Sequence, residues 1–243
     1  LAADLVHLFG SIFPRKGGYS PHHVAFLVLR IEELLTTCGG WQDQVGGLWD
    51  GFKLTRSRMV AIGGHEEKQL SVIPLPISVD IVREFESHIL FIHTGFPRLA
   101  KNLLRTVLDQ WSTRAPSIVQ LFDQLEIGAV EMTAALYRRD WPQFGRLFAQ
   151  FWEIKRTLAT SKDPSAPPAE PKHVHELIQR TEKLCYGASL AGAGGGGFLV
   201  LFAPPSNHAS IRLILDEFNR EHTDTNSFTE CRLYKGTVCH ETG

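Results

Sequence analysis

Apolar residues recur at spacings of three and four between His23 and Thr37, at Val24, Phe26, Leu27, Leu29, Ile31, Leu34 and Leu35. That period predicts a largely buried helix. Ser20-Pro21 marks its start, with Ser20 as N-cap and Pro21 at the first helical position. Cys38-Gly39 marks its end. Leu1 to Ile12 predicts a preceding helix. Strand patterns follow at Gly46 to Leu54 and Gln69 to Pro74, flanking a loop at Gly63-Gly64, and at Ser87 to His93, which stops at Thr94-Gly95. From Pro97 the helical period returns. It predicts helices over Arg98 to Trp111, Ser117 to Tyr137 and Trp141 to Leu158, with Pro116 and Pro142 at two of the starts. Ser161 to Pro171 is a proline-rich connection. A helix over His173 to Cys185 leads to two strands, Tyr186 to Leu190 and Phe198 to Ala203, around a run of glycines. Asn207 to His222 has an apolar helical face from Ile211, Leu213, Ile214, Leu215 and Phe218. Phe228 to Tyr234 is a closing strand, with Thr237 to His240 a candidate for another. No internal repeat is visible. The mixture of elements predicts an α+β architecture.

Composition narrows the function. The 243 residues carry a formal net charge of −1 and contain no run of five Lys or Arg. Neither feature suits a nucleic-acid footprint. No apolar stretch approaches the roughly 18 residues that a membrane span needs. "LAADLVHLFGSIF" has no basic leader and no clean apolar block, so it does not read as a signal peptide. The four cysteines form no C-x-x-C and suit reduced thiols in a cytoplasmic protein. Eleven histidines include the pairs His22-His23 and His173/His175. A zinc site would need nearby Cys or His at ligand spacing, and these histidines read instead as solvated helix-end or loop residues.

Two stretches carry the chemistry. "SLAGAGGGGFLVLFAPP" places Gly192 and Gly194 to Gly197 within six residues and satisfies G-x-G-x-x-G. A dinucleotide fingerprint needs a helix directly after the glycines. Here a strand-like "FLVLFA" follows, and Pro204-Pro205 stops any helix. No Gly-Lys-Ser/Thr completes a Walker loop. Consecutive glycines instead imply a backbone pressed against something a Cβ would strike, either a nucleotide phosphate or another chain segment. The second stretch is "IEELLTTCGGWQDQVGGLWDGFK". Glu32 lies in the helix and is either solvated or, if inward, paired or bound to a cation. Asp43 is either a turn-former or a carboxylate fixed by hydrogen bonds from the flanking amides Gln42 and Gln44.

With "HTGFPRLAKNLL", these stretches resemble the GHMP kinases, the superfamily of galactokinase, homoserine kinase, mevalonate kinase and phosphomevalonate kinase. The L-fucokinase branch is the most similar, with or without a fused GDP-fucose pyrophosphorylase, and the heptose-7-phosphate kinases are its neighbours. The resemblance implies a partial N-terminal kinase domain over residues 1–93 and a ferredoxin-like C-terminal domain with extra helices over 94–243. It implies ATP and Mg²⁺ as cofactors and a small-molecule sugar as substrate. Asp43 would be the catalytic base facing the acceptor hydroxyl and Glu32 the Mg²⁺ ligand. Gly194, Gly195, Gly196 and Gly197 would underlie the triphosphate. Gln42, Gln44, Thr94, Gly95 and Arg98 would shape the sugar side. The implied reaction phosphorylates the anomeric hydroxyl of L-fucose to L-fucose 1-phosphate. Other acceptors (heptose 7-phosphate, arabinose or galactose) and a catalytically silent sugar-sensing module are the alternatives. The superfamily's phosphate-binding loop is expected just before Leu1. The chain therefore reads as the C-terminal portion of a kinase, inactive alone, with room for an upstream pyrophosphorylase domain.

Overall fold

The computed structural model describes residues 19–34, 40–62, 65–96, 107–159, 170–192, 194, 196–222 and 228–231. The chain divides into two compact units, Leu1–Ser78 and Val79–Gly243.

In the first unit, helix α1 spans Pro21–Leu34. Its start is as the sequence predicts: the His23 N–H donates to Ser20 Oγ at 3.3 Å and the Val24 N–H to the Ser20 carbonyl at 3.0 Å. Val24 and Val28 are buried one turn apart, and Tyr19, Ile31 and Leu48 pack against them. Leu48 belongs to α2, Gln42–Leu48. This corrects the strand expected from Gly46. Val45 and Leu48, three apart, present one helical face, and extended structure begins only at Lys53. Strands β1, Lys53–Ile62, and β2, His65–Pro74, form an antiparallel hairpin in register from Lys53↔Pro74 to Ile62↔His65. Arg58 and its cross-strand partner Gln69 add hydrogen bonds of 3.1 and 3.0 Å from the guanidinium to Gln69 Oε1.

The second unit opens with α3, Val79–Ser87, so Ser87 ends a helix rather than opening the strand expected over Ser87 to His93. Strand β3, Ile89–His93, follows. Residues 107–112 are helical. Then come α4, Pro116–Arg138, and α5, Trp141–Ala159. Asp140 joins them: its Oδ1 accepts the Gln143 N–H at 3.0 Å and its carbonyl the Phe144 N–H at 2.9 Å, a side-chain cap at the Trp141-Pro142 start. Helix α6, Lys172–Thr181, leads through a short 3₁₀ turn to β4, Gly187–Leu190. Strand β5, Phe198–Phe202, helix α7, His208–Glu221, and strand β6, Thr229–Cys231, complete the described elements.

The four strands form one antiparallel sheet in the order β4-β5-β3-β6. Alternation sets its buried face, since side chains reverse at each residue. Leu90 and Ile92 of β3 and Leu199 and Leu201 of β5 point into a core shared with Trp152, Val174, Leu177, Ile211, Leu215 and Phe218 from the helices. Among the described residues, no helix is long and apolar enough to cross a membrane. The expectations for Leu1 to Ile12, Cys38-Gly39, Gly63-Gly64, most of Arg98 to Trp111, most of Ser161 to Pro171 and Thr237 to His240 lie outside the described residues.

Candidate active-site elements

The glycine run joins β4 to β5: Gly192 is exposed at its start, and Gly194, Gly196 and Gly197 are buried where the chain enters β5. Gly194 has φ +94° and Gly197 φ +86°, in the left-handed half of backbone space that side chains disfavour. At Gly194 space is closed as well. A Cβ there would lie 2.6 Å from Cη2 and 2.8 Å from Cζ3 of Trp152, which is itself buried on α5. The backbone is therefore pressed against another chain segment, one of the two readings that the sequence left open.

Thr94 holds the other side. Its N–H and its hydroxyl both donate to the Gly197 carbonyl, at 2.8 and 3.0 Å, and the Gly197 N–H returns to the Phe96 carbonyl at 3.1 Å. Thr94 is fully buried. Its hydroxyl is thus committed to the loop, and residues 94–96 form a strap that fixes the entry to β5. Gly95, inside the strap, has φ +70°. The sequence put the strap and the glycines in separate motifs; the sheet joins them because β3 and β5 pair with His93 opposite Phe198. Arg98 and Gly195 lie outside the described residues.

Sequence reading missed Lys155. It follows Trp152 by three positions on α5, and its Nζ donates to the Gly192 carbonyl at the start of the loop. The ammonium also lies 5.3 Å from the Phe151 ring centre and 5.7 Å from that of Trp152. An open cleft of about 410 Å³ adjoins Gly192, with apolar walls from Phe91, Met132, Phe148 and Phe151 and polar groups from Lys155 and Ser189. The available signal was the i, i+3 pairing of an aromatic and a lysine on a helix whose strand partner could not be known from the sequence.

The carboxylates belong to the first unit. Glu32 is half-buried on α1, near the Ile31 contact with α2. Asp43 lies in the first turn of α2 with its side chain exposed. Its neighbours do not clasp it. Gln44 is buried, and its Oε1 has no hydrogen-bond partner among the described residues, while Gln42 is exposed. On a helix, adjacent side chains diverge by about 100°, so flanking amides cannot close on one carboxylate. The Asp43 carboxylate is thus open to solvent.

Residues 132–221 match the family described as GHMP kinases C terminal. Over 239 residues, 98% of its length, the chain is 28% identical to the bifunctional fucokinase/GDP-fucose pyrophosphorylase of Arabidopsis thaliana, covering 21% of that protein. Over 190 residues it is 33% identical to the L-fucokinase/L-fucose-1-P guanylyltransferase of Bacteroides fragilis, covering 78% of this chain and 19% of that protein. The chain thus spans about a fifth of the length of these two curated relatives. Among solved structures, Lactococcus lactis galactokinase complexed with galactose shares the fold at a TM-score of 0.58 and 13% identity, over 96% of this chain and 65% of that one. A motif pair in sequence, a strapped glycine loop in the structure and a matching C-terminal domain agree: the chain belongs to the GHMP kinase superfamily.

Proposed function

We propose that the protein carrying this chain is an ATP-dependent sugar kinase that phosphorylates the anomeric hydroxyl of L-fucose. The observation that carries the reading is that the two curated relatives described above bear fucokinase in their names and align with most of this chain. The strapped glycine loop supports it, because a loop locked by Thr94, Phe96 and Trp152 is a rigid floor of the sort phosphate positioning needs. We assign Gly194 to Gly197 to the nucleotide side. Lys155, at the mouth of that loop, adds the positive charge that a triphosphate attracts.

In this reading Asp43 accepts the proton of the anomeric hydroxyl as its oxygen bonds to the γ-phosphorus. The bond from that phosphorus to the β,γ-bridging oxygen breaks, and L-fucose 1-phosphate and ADP leave. An exposed carboxylate with no competing partner among the described residues is suited to that role. Glu32 offers the hard oxygen donor that Mg²⁺ takes from protein when phosphates supply the rest; the ion, when bound, neutralises charge on those phosphates. Gln42, Gln44, Gly95 and Arg98 fall on the sugar side, where the unsatisfied Gln44 Oε1 could accept a substrate hydroxyl. Thr94 contributes through the loop it holds. A fused pyrophosphorylase upstream and a cytoplasmic location complete the proposal.

A panel of free sugars given to the full-length protein with Mg·ATP, with ADP release coupled to an optical signal, tests the acceptor. L-Fucose should give the highest kcat/KM. A higher value for a heptose 7-phosphate, arabinose or galactose would reassign the acceptor, and silence with every sugar would remove the kinase reading.

A further inference from the structure

A group of side chains away from the glycine loop has the makings of a metal site. His173 and Glu176 lie three apart on α6 and so share one face. His222 directly follows the last residue of α7. One donor atom from each lies within 4.8 Å of the others. The His222 Nδ1 is 3.0 Å from the Phe218 carbonyl. A carbonyl only accepts, so Nδ1 carries the hydrogen, and in the neutral ring Nε2 presents its lone pair. That nitrogen faces Glu176 Oε2 at 3.4 Å, one acceptor opposite another. The other Glu176 oxygen accepts from Arg180 Nη2 at 2.7 Å. The His173 ring meets His222 edge-on with centroids 4.8 Å apart, and its Nδ1 is buried with no hydrogen-bond partner among the described residues.

We propose that His173, Glu176 and His222 bind one divalent transition-metal ion, with the preferences of zinc, as a clasp between the start of α6 and the end of α7. Two imidazoles and one carboxylate form the borderline donor set that Zn²⁺ favours, whereas Mg²⁺ and Ca²⁺ prefer oxygen alone. Three protein ligands leave a fourth, tetrahedral position for water. The outer contacts suit the task. Metal-binding histidines commonly donate their second nitrogen to a carbonyl, as His222 does to Phe218, and ligating carboxylates are themselves hydrogen-bonded, as Glu176 is by Arg180. Phe218 stacks on His222 at 4.2 Å and Phe96 on His173 at 6.3 Å, fixing both ring planes. Phe96 also accepts the Gly197 N–H, so the clasp lies one ring away from the glycine-loop strap. The proposal needs no assumption about the kinase reaction.

The test is calorimetric zinc titration of the tag-free full chain at neutral pH, with circular dichroism of every variant and Mg²⁺ as the comparison ion. The wild type should take up one zinc per chain and no Mg²⁺ at that site, and its unfolding temperature should rise with zinc concentration. Co²⁺ should give visible absorption bands that zinc abolishes. His173→Gln and His222→Gln should each lose the site, and the near-isosteric Glu176→Gln should weaken it by at least about tenfold. His175→Gln should leave it intact, because His175 is engaged with Glu170. Absence of stoichiometric zinc on the wild type overturns the proposal. So does zinc binding that persists unchanged in folded His173→Gln and His222→Gln variants.

Discussion

At the residue scale, Gly194 and Thr94 show two ways of fixing one loop. Gly194→Ala would force a Cβ to 2.6 Å from Trp152 at a φ of +94°. Backbone strain and overpacking together should cost about 2–4 kcal/mol, read as a lowered denaturant midpoint. Thr94→Val keeps the volume but deletes the hydroxyl bond to Gly197. The part-buried Phe96 N–H, 3.4 Å from Thr94 Oγ1, loses its acceptor as well, so the loss should be about 1–2 kcal/mol. Equal stability of wild type and Gly194→Ala would show that the Trp152 contact is not tight. The glycine run was legible as a close approach, but its partner was not: nothing in the sequence joins Trp152 to residue 194 until α5 is laid beside β4. The clustering of His173 with His222 was hidden for the same reason. The sequence paired His173 with His175, whereas the helix turns His173 toward Glu176.

Cys185 gives a pH prediction at the same scale. Burial pushes its thiol up to about 12, partly offset by a hydrogen bond with Thr181. An unfolded cysteine ionises near pH 8.5. Between those values the unfolded chain has released a proton that the native chain retains, so it binds fewer protons and stability falls as pH rises. This residue should contribute a loss of about 1.4 kcal/mol per pH unit within that window and nothing below it. Cys185→Ala should flatten that part of the stability profile. A slope unchanged by the substitution would refute the assignment.

At the element scale, β3 and β5 are legible as short unbroken apolar runs, whereas the alternation of their buried and half-buried faces emerges only in the fold. Ile89 to His93 and Phe198 to Phe202 read as strands because their apolar residues are β-branched or bulky and end at Thr94-Gly95 and Pro204-Pro205. Two helices escaped notice. Gly46-Gly47 concealed α2, whose stability comes from Val45 and Leu48 packing rather than propensity. Helix α3 is only nine residues long and directly precedes a strand run, which drew Ser87 into the wrong element. Among the described residues β6 covers Thr229–Cys231 beside β3, and Arg212 of α7 holds it through a bidentate pair with Glu230, at 2.7 and 2.9 Å. A double-mutant cycle with Arg212→Lys and Glu230→Gln should give a coupling of about 0.5–1 kcal/mol that shrinks in high salt. Coupling indistinguishable from zero at low salt would mean that the pair does not secure the strand.

At the whole-molecule scale, membership of the superfamily rests on motifs in both units: the Glu32–Asp43 stretch in the first, and the strap and glycine loop in the second. The motifs were readable because each is contiguous. Choice of sugar was not, since one stereocentre is discriminated by a few hydrogen bonds from residues scattered along the chain. The most direct measurement is kcat for L-fucose phosphorylation by the full-length protein, wild type against Asp43→Asn, with folding of both verified. Loss of the carboxylate base should lower kcat by about 10²–10⁴-fold while the protein remains folded. An Asp43→Asn protein that phosphorylates L-fucose at the wild-type rate would contradict the account.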